Sequence, residues 1–124
     1  MKLLKADRAL ILWSLGIFLF MILPISPDST VDRIGNDINY SDKVFHLILF
    51  GVFAFLLAST FQARNVKKVN IYIFGFLISS FYAGLSELMQ LFTATRTASW
   101  GDFFSGVIGI AAIFLIIYVR DRKK

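Results

Sequence analysis

The stretch KVFHLILFGVFAFLLASTF, Lys43 to Phe61, decides the fold. Its formal charge is confined to its first residue, and the rest is apolar apart from His46, Gly51, Ser59 and Thr60. A helix needs about 20 predominantly apolar residues to cross the hydrocarbon core of a bilayer. The stretch therefore predicts a transmembrane helix. Working outward, three more segments read the same way: about Ala6 to Leu23, Val69 to Phe92, and Gly101 to Val119. The first is short, but Lys5 and Arg8 can snorkel to the membrane surface. Pro24 and Pro27 end it, and no small-x-small cleavage site follows, so an uncleaved span is expected rather than a signal peptide. The expected fold is all-α, a four-transmembrane-helix bundle forming one domain over residues 1–124.

Composition supports this. The chain has 124 residues, 57% of them hydrophobic, with fourteen Phe and two Trp and a mean hydropathy of +0.72. A soluble protein of this size has too little interior to hide so much apolar surface. There is no cysteine, which excludes disulfides, thiolate metal sites and cysteine nucleophiles. The net charge of +5 does not imply nucleic acid, because the basic residues flank apolar spans and form neither a basic helix face nor an aromatic RNA motif.

The charges sort by side. Four spans put the N-terminus, the turn from Gln62 to Lys68 and the C-terminal tail together. These hold ten basic residues (Lys2, Lys5, Arg8, Arg64, Lys67, Lys68, Arg120, Arg122, Lys123 and Lys124) against Asp7 and Asp121. The other side holds Arg33, Lys43 and Arg96 against Asp28, Asp32, Asp37, Asp42, Glu87 and Asp102. The positive-inside rule then predicts a multi-pass membrane protein with both termini cytoplasmic. The connection from Ile25 to Ser41 is the longest; Ser29 to Ile34 could form a short surface helix, and the loop reads equally as a functional lid or binding loop or as a disordered segment.

The outer side also carries the candidate site. Asp42 and His46 are four apart, and Lys43 is three before His46, so they share a helix face. Glu87 and Gln90 share another. Arg96 lies in the last outer connection and Asp102 opens the fourth span. Each has an ordinary role to hand: Ser41 or Asp42 as a helix cap, Asp102 as another, Lys43 and Arg96 as interfacial anchors, and His46 as a hydrogen-bonding core residue. Glu87 is harder to assign so, since a carboxylate among apolar residues at that depth is costly unless paired. Chance would scatter these residues over both ends of the spans. Small residues at every fourth position, Gly75, Ser79, Ala83 and Gly101, Ser105, Gly109, predict close packing of spans three and four.

Asp42-Lys43-x-x-His46, Gly84-x-x-Glu87-x-x-Gln90, and Arg96-Thr97-Ala98-Ser99-Trp100-Gly101-Asp102 with Gly109 beyond resemble the VanZ-like family of small bacterial membrane proteins. The resemblance covers Asp42 to Gly109. It implies that Asp42, Lys43, His46, Glu87, Gln90, Arg96 and Asp102 form a ligand-binding site. It also implies an association with resistance to the glycopeptide teicoplanin. Ser86 stands where an acid is frequent, and Gly106 where an Asn is frequent four after the Asp.

The ligands expected are membrane lipids and other anionic amphiphiles: a phospholipid, a lipid-linked cell-wall precursor or a lipoglycopeptide. Lys43, His46 and Arg96 would hold the headgroup, while Glu87 and Asp102 orient those cations. The alternative is a membrane enzyme in which His46, Glu87 and Asp102 are the catalytic candidates for acid–base chemistry. A further alternative is a structural or partner-binding protein whose polar cluster holds helices together, and an oligomer is compatible with the small-residue rows. No cofactor is expected. The exception that the residue types allow is a divalent metal on Asp42, His46, Glu87 and Asp102.

Overall fold

The structure is a computed structural model that describes residues 2–22, 40–92 and 100–124, with side chains at 2–21, 43–92 and 100–124. Four helices account for most of them: α1 (Lys5–Ile22), α2 (Tyr40–Ala63), α3 (Lys68–Gln90) and α4 (Trp100–Arg122). The chain is all-helical among the described residues. Helices α2, α3 and α4 are long and apolar enough to cross a membrane. Helix α1 has 18 residues, with Lys5, Asp7 and Arg8 in its first turn. At 1.5 Å per residue it is about 27 Å long. Large apolar side chains such as Leu12, Phe81, Ile108 and Leu115 face outward, the arrangement lipid accepts and water does not.

The four helices begin and end within a few residues of the expected spans, although α1 is not among those long and apolar enough to cross, and one difference bears on chemistry. Helix α2 already includes Tyr40, so Ser41 and Asp42 lie inside its first turn rather than at the capping position. The stretch from Ser29 to Ile34, where a surface helix could form, lies outside the described residues.

Successive helices run antiparallel. Between α2 and α3 the chain turns on Asn65, which adopts φ 58°, a left-handed conformation that Asn tolerates better than most residues. The N–H of Val66 donates to Phe61 O and the N–H of Asn65 to Gln62 O, each at 3.0 Å. These two bonds satisfy carbonyls that the helix end leaves open.

Helix α2 touches all three others, whereas α1 and α4 do not meet among the described residues. The closest approach is between α2 and α4, which run parallel. A side chain at Gly109 would press on the backbone of Leu47, and one at Gly106 on the ring of Phe50. The expected pairing of α3 with α4 exists but is made differently. Gly75, Ser79 and Ala83 are buried on α3, and Gly75 makes room for the Phe114 ring of α4. Gly109, by contrast, turns to α2. Helix α1 is fastened by side chains reaching backbone: Trp13 Nε1 donates to Leu49 O at 2.9 Å and Tyr82 Oη to Ser14 O at 2.7 Å.

Charged groups end up at opposite ends of the bundle. At one end Asp7 accepts from Leu4 N–H and from Arg64, and Tyr72 donates to Asp121 at 3.0 Å. Lys43, His46, Glu87 and Asp102 gather at the other.

Candidate functional site

The site forms where α2 begins, α3 ends and α4 begins. His46 lies six residues into α2, about 9 Å along its axis from Tyr40. Glu87 is three residues before the end of α3, and Asp102 is the third residue of α4. Each comes from a different helix, so their meeting is a product of tertiary packing. His46 Nε2 lies 3.0 Å from Glu87 Oε1. One ligand-type atom from each of His46, Glu87 and Asp102 falls within 4.8 Å of the others. Lys43 Nζ lies 3.7 Å from Asp102 Oδ1.

Burial grades the cluster. The His46 side chain is 3% exposed, that of Glu87 10% and that of Asp102 12%, against 38% for Lys43. Lys43 thus sits at the rim and the other three beneath it. Below His46 the floor is aromatic: its ring centroid is 6.1 Å from that of Phe50, which in turn meets Tyr82 edge-on at 6.1 Å. Such a floor lowers the local dielectric and strengthens the electrostatic interactions above it.

Of the seven residues expected at the site, the structure brings four together: Lys43, His46, Glu87 and Asp102. Gln90 is buried, and its Nε2 donates to Met21 Sδ at 3.0 Å, tying the end of α3 to α1. Asp42 is helical, but its side chain, like all of Arg96, lies outside the described residues. Ser86 donates to Tyr82 O at 2.9 Å, one turn back on its own helix. At Gly106 the Phe50 ring occupies the space that a side chain would need.

The structure adds a cleft that sequence reasoning missed. It is an open groove of about 630 Å³ between α3 and α4, and its walls include Phe81, Gly84, Leu88, Trp100, Phe103 and Glu87. Apart from Glu87 and Ser80, its lining residues are apolar or glycine. Glu87 is therefore both a wall of an apolar cleft and the partner of His46. Gly84, one turn before Glu87, keeps the α3 wall low opposite Phe103. That glycine is the one trace of the cleft in the sequence, and it becomes meaningful only beside α4.

Fold and site together define an integral membrane helical protein with a buried histidine–carboxylate cluster at one end and an apolar cleft leading to it. No protein-family model, curated protein or solved structure matches the chain.

Proposed function

We propose that this is a VanZ-like protein of the bacterial cytoplasmic membrane, with both termini cytoplasmic, that binds an anionic amphiphile from the outer leaflet. The apolar part of the ligand occupies the cleft between α3 and α4. The headgroup meets the cluster of Lys43, His46, Glu87 and Asp102, with Asp42, Gln90 and Arg96 completing the set that the sequence resemblance implies. The observation that carries this reading is the double position of Glu87, on the cleft wall and 3.0 Å from His46. Binding sites that pair an apolar cavity with a few convergent polar groups are the usual form for small ligands. A phospholipid, a lipid-linked cell-wall precursor and a lipoglycopeptide all have this chemistry, and the last would connect the protein to teicoplanin resistance.

Native mass spectrometry of protein released gently from membranes tests the reading. The wild type should retain an amphiphile enriched over its share of the bulk membrane, and Gly84→Leu, which fills the cleft, should lose it. A wild type that carries only bulk lipid, or a Gly84→Leu variant that retains the same ligand, refutes it.

A second reading has one specific observation in its favour. The His46–Glu87 pair has the separation of a general acid–base couple, so the bound amphiphile would be a substrate. Turnover of a retained amphiphile by the wild type, which His46→Ala lowers far more than it lowers retention of the amphiphile, would establish it.

A further inference from the structure

We infer that His46, Glu87 and Asp102 bind a first-row divalent cation of the Mn²⁺ or Zn²⁺ type, and that this cation receives the anionic headgroup. The cation site stands on its own geometry. Its role toward a headgroup rests on the amphiphile reading above.

Geometry comes first. The three donor atoms lie within 4.8 Å of one another. Oxygen and nitrogen ligands sit about 2.0–2.2 Å from such ions, so two ligands on opposite sides of one ion are about 4.0–4.4 Å apart. Side-chain shifts of about half an ångström would close the site around a six-coordinate ion such as Mn²⁺, and larger ones around tetrahedral Zn²⁺, whose ligands are about 3.3–3.5 Å apart. The three donors come from three helices, and donors held on helices keep their positions better than donors on loops. Three protein ligands also leave a coordination position open, as catalytic and ligand-receiving metal sites do. One imidazole with two carboxylates fits Mn²⁺ and Zn²⁺ better than Ca²⁺ or Mg²⁺, which favour all-oxygen sites.

Charge supplies an independent argument. The described cluster has two carboxylates, one lysine and one imidazole. With neutral histidine its sum is one negative charge, held in a setting where buried charge is expensive. An anionic headgroup brought to it would meet net repulsion. A divalent ion reverses the sign and turns the carboxylates from a barrier into the support for a bridge to phosphate or carboxylate oxygen. Lys43, at the rim beside one oxygen of Asp102, is placed to contact the same headgroup from the water side.

His46 is the only histidine in the chain, which makes the test direct. Tag-free, full-length protein in detergent, stripped with EDTA and then dialysed, is titrated with MnCl₂ alone and followed by EPR. The expected result is one saturable site per chain with coupling to one imidazole nitrogen in the pulsed spectrum. Glu87→Gln and Asp102→Asn should each weaken binding at least tenfold. The wild-type spectrum needs no variant to fold, so it decides the question even if both substitutions unfold the bundle. Absence of saturable binding of Mn²⁺, and of Zn²⁺ by calorimetry, overturns the inference, as does bound Mn²⁺ without nitrogen coupling. Because no amphiphile is present, failure here is distinct from failure of the amphiphile reading, which the Gly84→Leu comparison decides.

Discussion

Replacing Gly109 with alanine tests the contact that sets the spacing of α2 and α4. The added Cβ would lie 3.0 Å from the carbonyl carbon of Leu47 and 3.1 Å from its Cα, and closer still to the carbonyl oxygen. Non-bonded carbons prefer about 3.5–4.0 Å. The obstacle is helix backbone, which has no rotamer to change, so the two helices must separate by more than about half an ångström. Overpacking of this kind costs about 1–3 kcal/mol, partly offset by the gain of about 0.5–1 kcal/mol for glycine to alanine in a helix. Gly16→Ala provides the control, because nothing lies within 4 Å of its Cβ position and only the gain applies. The two variants should therefore differ by about 1–3 kcal/mol. Unfolding in mixed micelles, driven by a denaturing detergent and followed by circular dichroism and tryptophan fluorescence, measures the difference. A Gly109→Ala protein as stable as Gly16→Ala would refute the close approach. The site should feel the change too. Leu47 follows His46 directly, and Gly109 is two turns beyond Asp102 on the same helix as that carboxylate. Separating α2 from α4 should draw His46 away from Asp102 and weaken Mn²⁺ binding even in molecules that remain folded.

Gly106→Asn installs the residue that the resemblance leads one to expect, but its Cβ would lie 2.9 Å from Phe50 Cδ2; alone it should destabilise by about 1–3 kcal/mol, and Phe50→Leu in the same chain should recover part of that. Equal effects of Gly106→Asn in the wild-type and Phe50→Leu backgrounds, measured by thermal unfolding, would show that the ring is not what excludes the side chain. At the opposite end of the bundle, Arg64→Gln should loosen α1 from the end of α2 and lower the thermal midpoint. Adding Asp7→Asn should lower it little further, since both changes remove the same ion pair while Asn keeps an oxygen for the Leu4 N–H; additive midpoint losses across the double-mutant cycle would contradict the Asp7–Arg64 pairing.

Much of the fold was legible in the sequence because it depends on local properties. Crossing a membrane requires length and apolarity, and both can be counted along the chain. Lys43 to Phe61 announces α2 by these criteria alone, and the observed helix extends the reading only by a few residues at each end. The outer-end grouping of Lys43, His46, Glu87 and Asp102 was also legible, because alternating helix direction assigns each residue to one end once the spans are placed. What was not legible is which face each residue presents. Gly109 shares a small-residue row with Gly101 and Ser105, and the natural inference from that row is contact with α3. The observed contact is with Leu47 of α2. The row says that some backbone approaches closely, and nothing in its spacing names which one. Gln90 shares a face with Glu87 by spacing, yet its amide is bonded to Met21 of α1.

The amino-acid order by itself determined that the protein is helical, that α2, α3 and α4 suit a membrane, and which polar residues stand at the same end. These follow from hydropathy, helix rise and alternation, all of which act within one segment. Tertiary packing alone decided that His46 Nε2 stands 3.0 Å from Glu87 Oε1, that Asp102 joins them, and that the Glu87 wall opens on an apolar cleft. Those features depend on helix rotation and on ångström-scale distances between chains of atoms remote in sequence. Side-chain volume at the crossings, such as the bare backbone of Gly109 against Leu47 and the Phe114 ring against Gly75, sets both.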